Sequence, residues 1–285
     1  MNELATRSEV QAWTRSQRKA GRRIALVPTM GYLHEGHLTL VDEARRRADT
    51  VIMSIFVNPL QFGPGEDLTR YPRDLPRDRS LAAARGVDAV FVPDVDTMYP
   101  PGSEVRVVPG ATAERWEGAA RPGHFTGVLT VVAKLFHLVE PEVACFGRKD
   151  IQQLTLIKRM VRDLDWPIEI IDVPTVREPD GLALSSRNAY LNLDDRRAAG
   201  VLSQALGAAH RAFCEGEIGA PALEQRIQRV LATRPEVKVE YIAIIEPNGL
   251  APVATVDGRS IVALAARVGG TRLIDNITLG QGLGC

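Results

Sequence analysis

Apolar positions in this 285-residue chain fall into two alternating kinds of run. Short continuous runs read as strands buried on both faces, and longer runs with apolar residues three and four apart read as helices. The first short run, Ile24 to Val27, is followed by a helical pattern over Leu38 to Ala48 and by a second run, Thr50 to Val57. Strand, helix and strand in that order make a βαβ unit with parallel strands. The alternation continues with a helix over Arg77 to Arg85, a strand over Asp88 to Val92, and an apolar helix over Gly127 to Val139. The strand Glu142 to Phe146, the helix Ile151 to Leu164 and the strand Pro167 to Val173 complete it. A short helix over Val10 to Lys19 precedes the first strand. Pro93 to Pro122 reads as irregular apart from a strand at Val105 to Val108, and the helical face Val128, Val131, Val132 and Leu135 reads as core.

The pattern changes late in the chain. Asp194 to Phe213 and Ala220 to Ala232 read as amphipathic helices, and Lys238 to Ile245, Ser260 to Val268 and Arg272 to Leu279 as strands. Pro247-Asn248-Gly249 and Asp257-Gly258 are turn signals between them. The predicted fold is α/β: a Rossmann-like parallel-sheet domain over residues 1–175, then a smaller C-terminal α+β domain over residues 176–285.

Composition narrows the partners. Lys plus Arg and Asp plus Glu are 35 each, and this balance argues against nucleic acid or an acidic membrane surface as a partner of the whole molecule. No run approaches the length of a membrane span. Met1 to Arg23 is polar and basic without an apolar core, so it is not a signal peptide. Cys145, Cys214 and Cys285 have no metal-ligand spacing, which fits a reducing, cytoplasmic setting. Cys145 reads as a small core residue, and Cys285, at the chain end, is expected to be mobile.

The candidate chemistry lies in turns that leave strands. Pro28-Thr29-Met30-Gly31-Tyr32-Leu33-His34-Glu35-Gly36-His37 joins the first strand to its helix. First-turn N–H groups lack partners inside their helix and favour anions. His34 and His37, three residues apart, share one face of that turn, and Gly31 and Gly36 allow close backbone approach. The result is a phosphate cradle. A zinc-protease motif would need His where Leu38 stands, and zinc on this pair alone would need a third ligand. His124 and His137 have no visible partner and read as structural or capping residues.

Three further stretches leave strands toward the same edge. Asn58-Pro59-Leu60-Gln61 is a polar loop. Gly147-Arg148-Lys149-Asp150 repeats the strand, turn and helix of the cradle. Lys149 can place a charge on a phosphate, Asp150 can accept from ribose hydroxyls, and Gln153 follows one turn deeper. Ser185-Ser186-Arg187 offers hydroxyls and a guanidinium fork that suit phosphate oxygens.

The H-x-G-H block at His34 to His37 resembles the signature of the nucleotidyltransferase superfamily. With Pro28-Thr29-Met30-Gly31 before it, and with Phe56 to Phe62, Tyr71-Pro72-Arg73, Lys149-Asp150, Gln152-Gln153 and Ser185 to Asn188, it is similar to the pantothenate synthetase family over nearly the whole chain. The resemblance implies ATP-dependent joining of pantoate and β-alanine through a pantoyl adenylate, with Mg2+ as cofactor and a homodimer as the assembly. It implies catalytic roles for His37, as proton donor, and for His34, Lys149 and Arg187. It places ATP on Met30, Gly31, His34, His37, Gly147, Lys149, Asp150, Val176, Leu184, Ser185, Ser186 and Arg187. It places the pantoate and β-alanine pocket at Gln61, Gln153 and Asn58, and a metal-associated carboxylate at Asp78. Arg148 and Leu184 depart from the family's usual residues. Two rival readings are a transferase that leaves the nucleotide on its product and a non-catalytic nucleotide sensor. The neutral Gln61 and Gln153 pair disfavours the phosphate-acceptor pocket that the first would need.

Overall fold

The computed structural model describes residues 1–283, so Cys285 lies outside the described residues. Six parallel strands form the larger sheet: β1 (Asn2–Leu4), β2 (Ile24–Thr29), β3 (Thr50–Ile55), β4 (Ala89–Phe91), β5 (Val143–Gly147) and β6 (Glu169–Val173), in the order β1-β4-β3-β2-β5-β6. Three antiparallel strands, β7 (Val237–Ile245), β8 (Ile261–Val268) and β9 (Thr271–Thr278), form the second. The helices are α1 (Arg7–Lys19), α2 (Glu35–Arg45), α3 (Leu75–Ala84), α4 (Val95–Met98), α5 (Glu117–Ala120), α6 (His124–Val139), α7 (Ile151–Asp163), α8 (Leu193–Ala199), α9 (Val201–Cys214) and α10 (Ala220–Leu231). The α/β class with a smaller C-terminal α+β part is the one the hydrophobic pattern implies.

Period-two alternation sends successive side chains of β2 to opposite faces of the sheet. Ile24 and Leu26 pack with α1, α6 and α7, whereas Ala25 and Val27 pack with α2. Both faces are therefore covered, and all four side chains are fully buried. In the second sheet, Val262, Leu264 and Ala266 face α9 and α10. Ile261 and Ala263 face the other way, in a cluster with Trp116 and Ile151 of the first part. Asn276 then ties the two parts together, its amide nitrogen donating to the carbonyls of Arg148 (3.0 Å) and Lys149 (2.8 Å).

Four local expectations change. A short edge strand, β1, pairs with β4 in the polar N-terminus, where no apolar run announces it. Val105 to Val108 forms no strand, and Val105 and Val108 are 87% and 74% exposed. The helix expected over Asp194 to Phe213 is two helices that meet at Gly200. The cradle helix starts at Glu35, with His34 as its extended N-cap residue, not at Leu38. Apolar periodicity locates the buried part of a helix and is blind to a polar first turn.

Gly127, in the first turn of α6, lies against the backbone of the turn at Leu60 and Gln61, and a Cβ there would collide with the Leu60 carbonyl. Gly127→Ala is expected to cost about 1–3 kcal/mol through overpacking, read as a lower urea midpoint.

Candidate active site

In the strand order, β2 has β3 on one side and β5 on the other. The chain leaves β2 toward one flank and returns later to build the other, so the carboxyl ends of β2 and β5 form a switch-point crevice. The cradle turn follows β2, and the Lys149 turn, a 3-10 turn over Arg148–Asp150, follows β5. Both open onto one cavity of about 230 Å3.

That cavity gathers nearly every residue singled out in the sequence. His34, His37 and Met30 reach it from the first turn, Gly147, Lys149, Asp150 and Gln153 from the second. Val176, Leu184, Ser185, Ser186 and Arg187 close it from the segment after β6, and Asn58 and Gln61 from the loop after β3. A second cavity of about 330 Å3 opens beside it toward the C-terminal sheet. The two share Arg121, Lys149, Asp150, Ser185 and Arg187.

Two expected residues do not face the cavity. The Asp78 carboxylate is 1% exposed and accepts the amides of Tyr32 and Leu33, each at 2.7 Å. Both of its oxygens bond the cradle backbone and the group does not line the cavity, so Asp78 acts as a brace for the turn where a metal-associated carboxylate was expected. Gly31, at φ +82°, takes the left-handed conformation that glycine adopts without penalty. A Cβ there would sit 2.9 Å from Asp78 Oδ2 and 3.0 Å from Ile55 Cγ2. Its lack of a side chain therefore makes room for the brace. Among the described residues, no group of three or more His, Cys, Asp or Glu is placed to hold a metal ion.

The imidazoles of His34 and His37 stand 4.0 Å apart, centre to centre. The His34 amide donates to His37 Nδ1 at 3.3 Å, which leaves the proton of a neutral His37 ring on Nε2. Burial is the first reason both rings resist protonation, and the positive charge of Lys149 adds to it. The His34 pKa falls to about 4, and that of His37 well below the ordinary value. In the free protein the rings are neutral, so this pair can offer N–H donors and not positive charge. The charge comes from Lys149, which has no ion-pair partner among the described residues, and from Arg187. Arg187 Nε and NH2 bind the Asp67 carboxylate at 2.8 and 2.9 Å, and NH1 stays free among the described residues.

Sequence reading missed Arg121 and the apolar wall. Arg121 is half of a two-toothed ion pair with Glu66 (2.7 and 2.6 Å) and donates to the Gln61 carbonyl at 3.1 Å. Its remaining group contacts Glu117 and His124, so its donors are spent on the scaffold. His124 Nδ1 lies 2.8 Å from the same Gln61 carbonyl, in keeping with a structural role. Val128, Val131, Val132 and Leu135, expected as core alone, are buried and also line the cavity. Helical periodicity marks a buried face and cannot tell a neighbouring side chain from a bound molecule.

Residues 2–278 match the family model described as pantoate-beta-alanine ligase. A pantothenate synthetase of Moorella thermoacetica is 53% identical over 98% of this chain and 99% of its own. The crystal structure of pantothenate synthetase from Thermus thermophilus superposes with a TM-score of 0.93, at 48% identity over 98% of this chain and 99% of that one. A pantoate-beta-alanine ligase from Francisella tularensis, crystallised with beta-gamma ATP and beta-alanine, aligns over the full length of both chains at 34% identity and a TM-score of 0.81.

The depressed histidine pKa values set a pH dependence. A ring with a native pKa near 4 and an unfolded value near 6.5 stabilises the fold fully above 6.5, and that contribution is lost as pH falls toward 4. His124, lowered to about 4 chiefly by burial, acts in the same direction. The His34 and His124 ring protons should show no NMR titration between about pH 8 and pH 5, and the urea midpoint should drop between about pH 6.5 and 5, before carboxylates protonate.

Proposed function

The chain belongs to the pantoate-beta-alanine ligase family, and from that premise we propose how its cavity carries out the ATP-dependent joining of pantoate to β-alanine. The reading rests on one observation: two imidazoles, Lys149, Ser185, Ser186 and the free nitrogen of Arg187 converge at one rim of the sheet, beside an apolar wall and two amides. That rim suits a triphosphate, with ribose oxygens near Asp150 and the adenosine against Gly147, Val176 and Leu184. The wall of Val128, Val131, Val132 and Leu135 suits the two methyl groups on pantoate's quaternary carbon. Gln61 and Gln153 can hydrogen-bond its hydroxyls and carboxylate without adding charge.

In the first step a pantoate carboxylate oxygen attacks the α-phosphorus of ATP and the bond to pyrophosphate breaks. The nucleophile is already ionised, so no base is required. The barrier lies in charge building on the phosphoryl oxygens and the leaving group, and donors fixed in a partly dry crevice lower it. Lys149 and Arg187 neutralise that charge, and His37 directs its Nε2 proton at it. In the second step the β-alanine amine attacks the acyl carbon, loses a proton, and AMP departs. Mg2+ would enter on the phosphates of ATP, the usual route of that ion into a phosphoryl-transfer site.

Residues 1–175 and 176–285 are taken as the two domains, and the cytoplasm as the location. No helix among the described residues is long and apolar enough to cross a membrane. The assembly is read as a homodimer with twofold symmetry. The exposed Val105 and Val108 support that reading, since a second copy can cover them.

AMP release should require pantoate, and pantothenate should appear only after β-alanine is added. A nucleotide sensor would release no AMP, and a nucleotide-retaining transferase would form no pantothenate. His37→Ala should slow adenylate formation by about 10²–10³, measured as pyrophosphate release, and near-wild-type release would remove His37 from the mechanism. Sedimentation should give a dimer that Val105→Asp with Val108→Asp converts to monomer.

A further inference from the structure

Gln61 carries a fixed polarity, and part of what fixes it lies behind the cavity wall. The arrangement starts from backbone groups. The Leu60 amide donates to Asn58 Oδ1 at 3.3 Å, and Asn58 Nδ2 donates to the Gly127 carbonyl at 3.1 Å. A backbone N–H cannot accept and a carbonyl cannot donate, so these two contacts decide which end of the Asn58 amide is oxygen. Tyr99 adds a second donor, its hydroxyl lying 2.8 Å from the same Oδ1. The other hydrogen of Asn58 Nδ2 goes to Gln61 Oε1 at 3.0 Å. Gln61 is thereby held with its oxygen toward the scaffold and Nε2 forward, where its protein partner is Met30 Sδ at 3.2 Å. A thioether is a weak acceptor, so the donor capacity of that nitrogen is poorly met in a group only 9% exposed.

Tyr99 does not line the cavity. Its ring is held by Phe56, 6.2 Å away, and by the cationic groups of Arg106 and Lys134, each 5.9 Å from its centre. Burial raises its pKa, so the hydroxyl keeps its proton and remains a donor.

We propose that Tyr99 is a positioning residue: the backbone sets the polarity of Asn58, and the Tyr99 hydroxyl holds that amide in the place from which it keeps Gln61 a donor, so that this side of the pocket selects a ligand presenting an oxygen acceptor. The inference rests on the reading of the cavity as the pantoate pocket. A hydroxy acid satisfies Gln61 with a hydroxyl or carboxylate oxygen. An analogue with a methyl group at that point leaves a buried donor unpaired, a defect that discriminates strongly.

The test compares variants by initial rates and by calorimetric titration of pantoate. Tyr99→Phe keeps the ring and removes only the hydroxyl. It should raise the KM for pantoate by about tenfold while kcat and the KM for ATP stay within about twofold. Asn58→Asp puts an oxygen against Gln61 Oε1, which favours the flipped amide, and should weaken pantoate binding by about 100-fold with ATP binding retained. An unchanged pantoate KM in Tyr99→Phe overturns the proposal. A parallel rise in both KM values with a lower melting temperature also overturns it, because that marks a merely structural residue. Gln61→Ala separates the two levels. If it leaves pantoate binding intact, the pocket reading itself fails, and the relay with it. If it weakens pantoate binding and Tyr99→Phe does not, only the relay fails.

Discussion

The site depends on β2 and β5 lying side by side and parallel, through the pairs Ala25 with Val143 and Leu26 with Ala144. Parallel strands release their following turns at the same edge. This pairing therefore brings the His34–His37 turn and the Lys149 turn together, although β3 and β4 lie between them in sequence. Its stability comes from burial on both faces, since every one of those four side chains is inaccessible to solvent. Chemistry and hydrophobic core thus share one constraint, and a change in strand order would scatter the site.

Electrostatics at that edge follow from what burial allows. Imidazoles can lose their charge and stay buried, and His34 and His37 do so. Arginines cannot, so they must be paired. Arg121 is fully engaged by Glu66, Glu117 and the Gln61 carbonyl, and Arg187 is held by Asp67 with one nitrogen free. Among the described residues, Lys149 is left as a cation of the crevice without an ion-pair partner. Its turn is in turn held by Asn276 from the C-terminal sheet, so that sheet helps to place a residue of the site it does not otherwise supply.

Much of this was legible in the chain. The strands β2, β3 and β5 are dense apolar runs, and the turns that follow them carry His34, His37, Asn58, Gln61 and Lys149 in full view. Residues that act through tertiary contacts were not. Asp78 looks like a free acid on a helix, and only the fold shows both oxygens taken by the amides of Tyr32 and Leu33. Tyr99 and Arg121 sit in a stretch without periodicity. Val128 and Val131 are apolar at helical spacing, a signature shared by core and by a cavity wall.

The sequence by itself determined the class of fold, the order of strand, turn and helix, and the chemical inventory at the strand ends, because these depend on local periodicity and on residue type. Tertiary structure decided which of those residues share a cavity, which charges are free, and which way the Gln61 amide points. The physical reason is that pairing, desolvation and hydrogen-bond direction are properties of neighbours in space. Asn58 and Gly127 become neighbours only when α6 packs against the turn after β3.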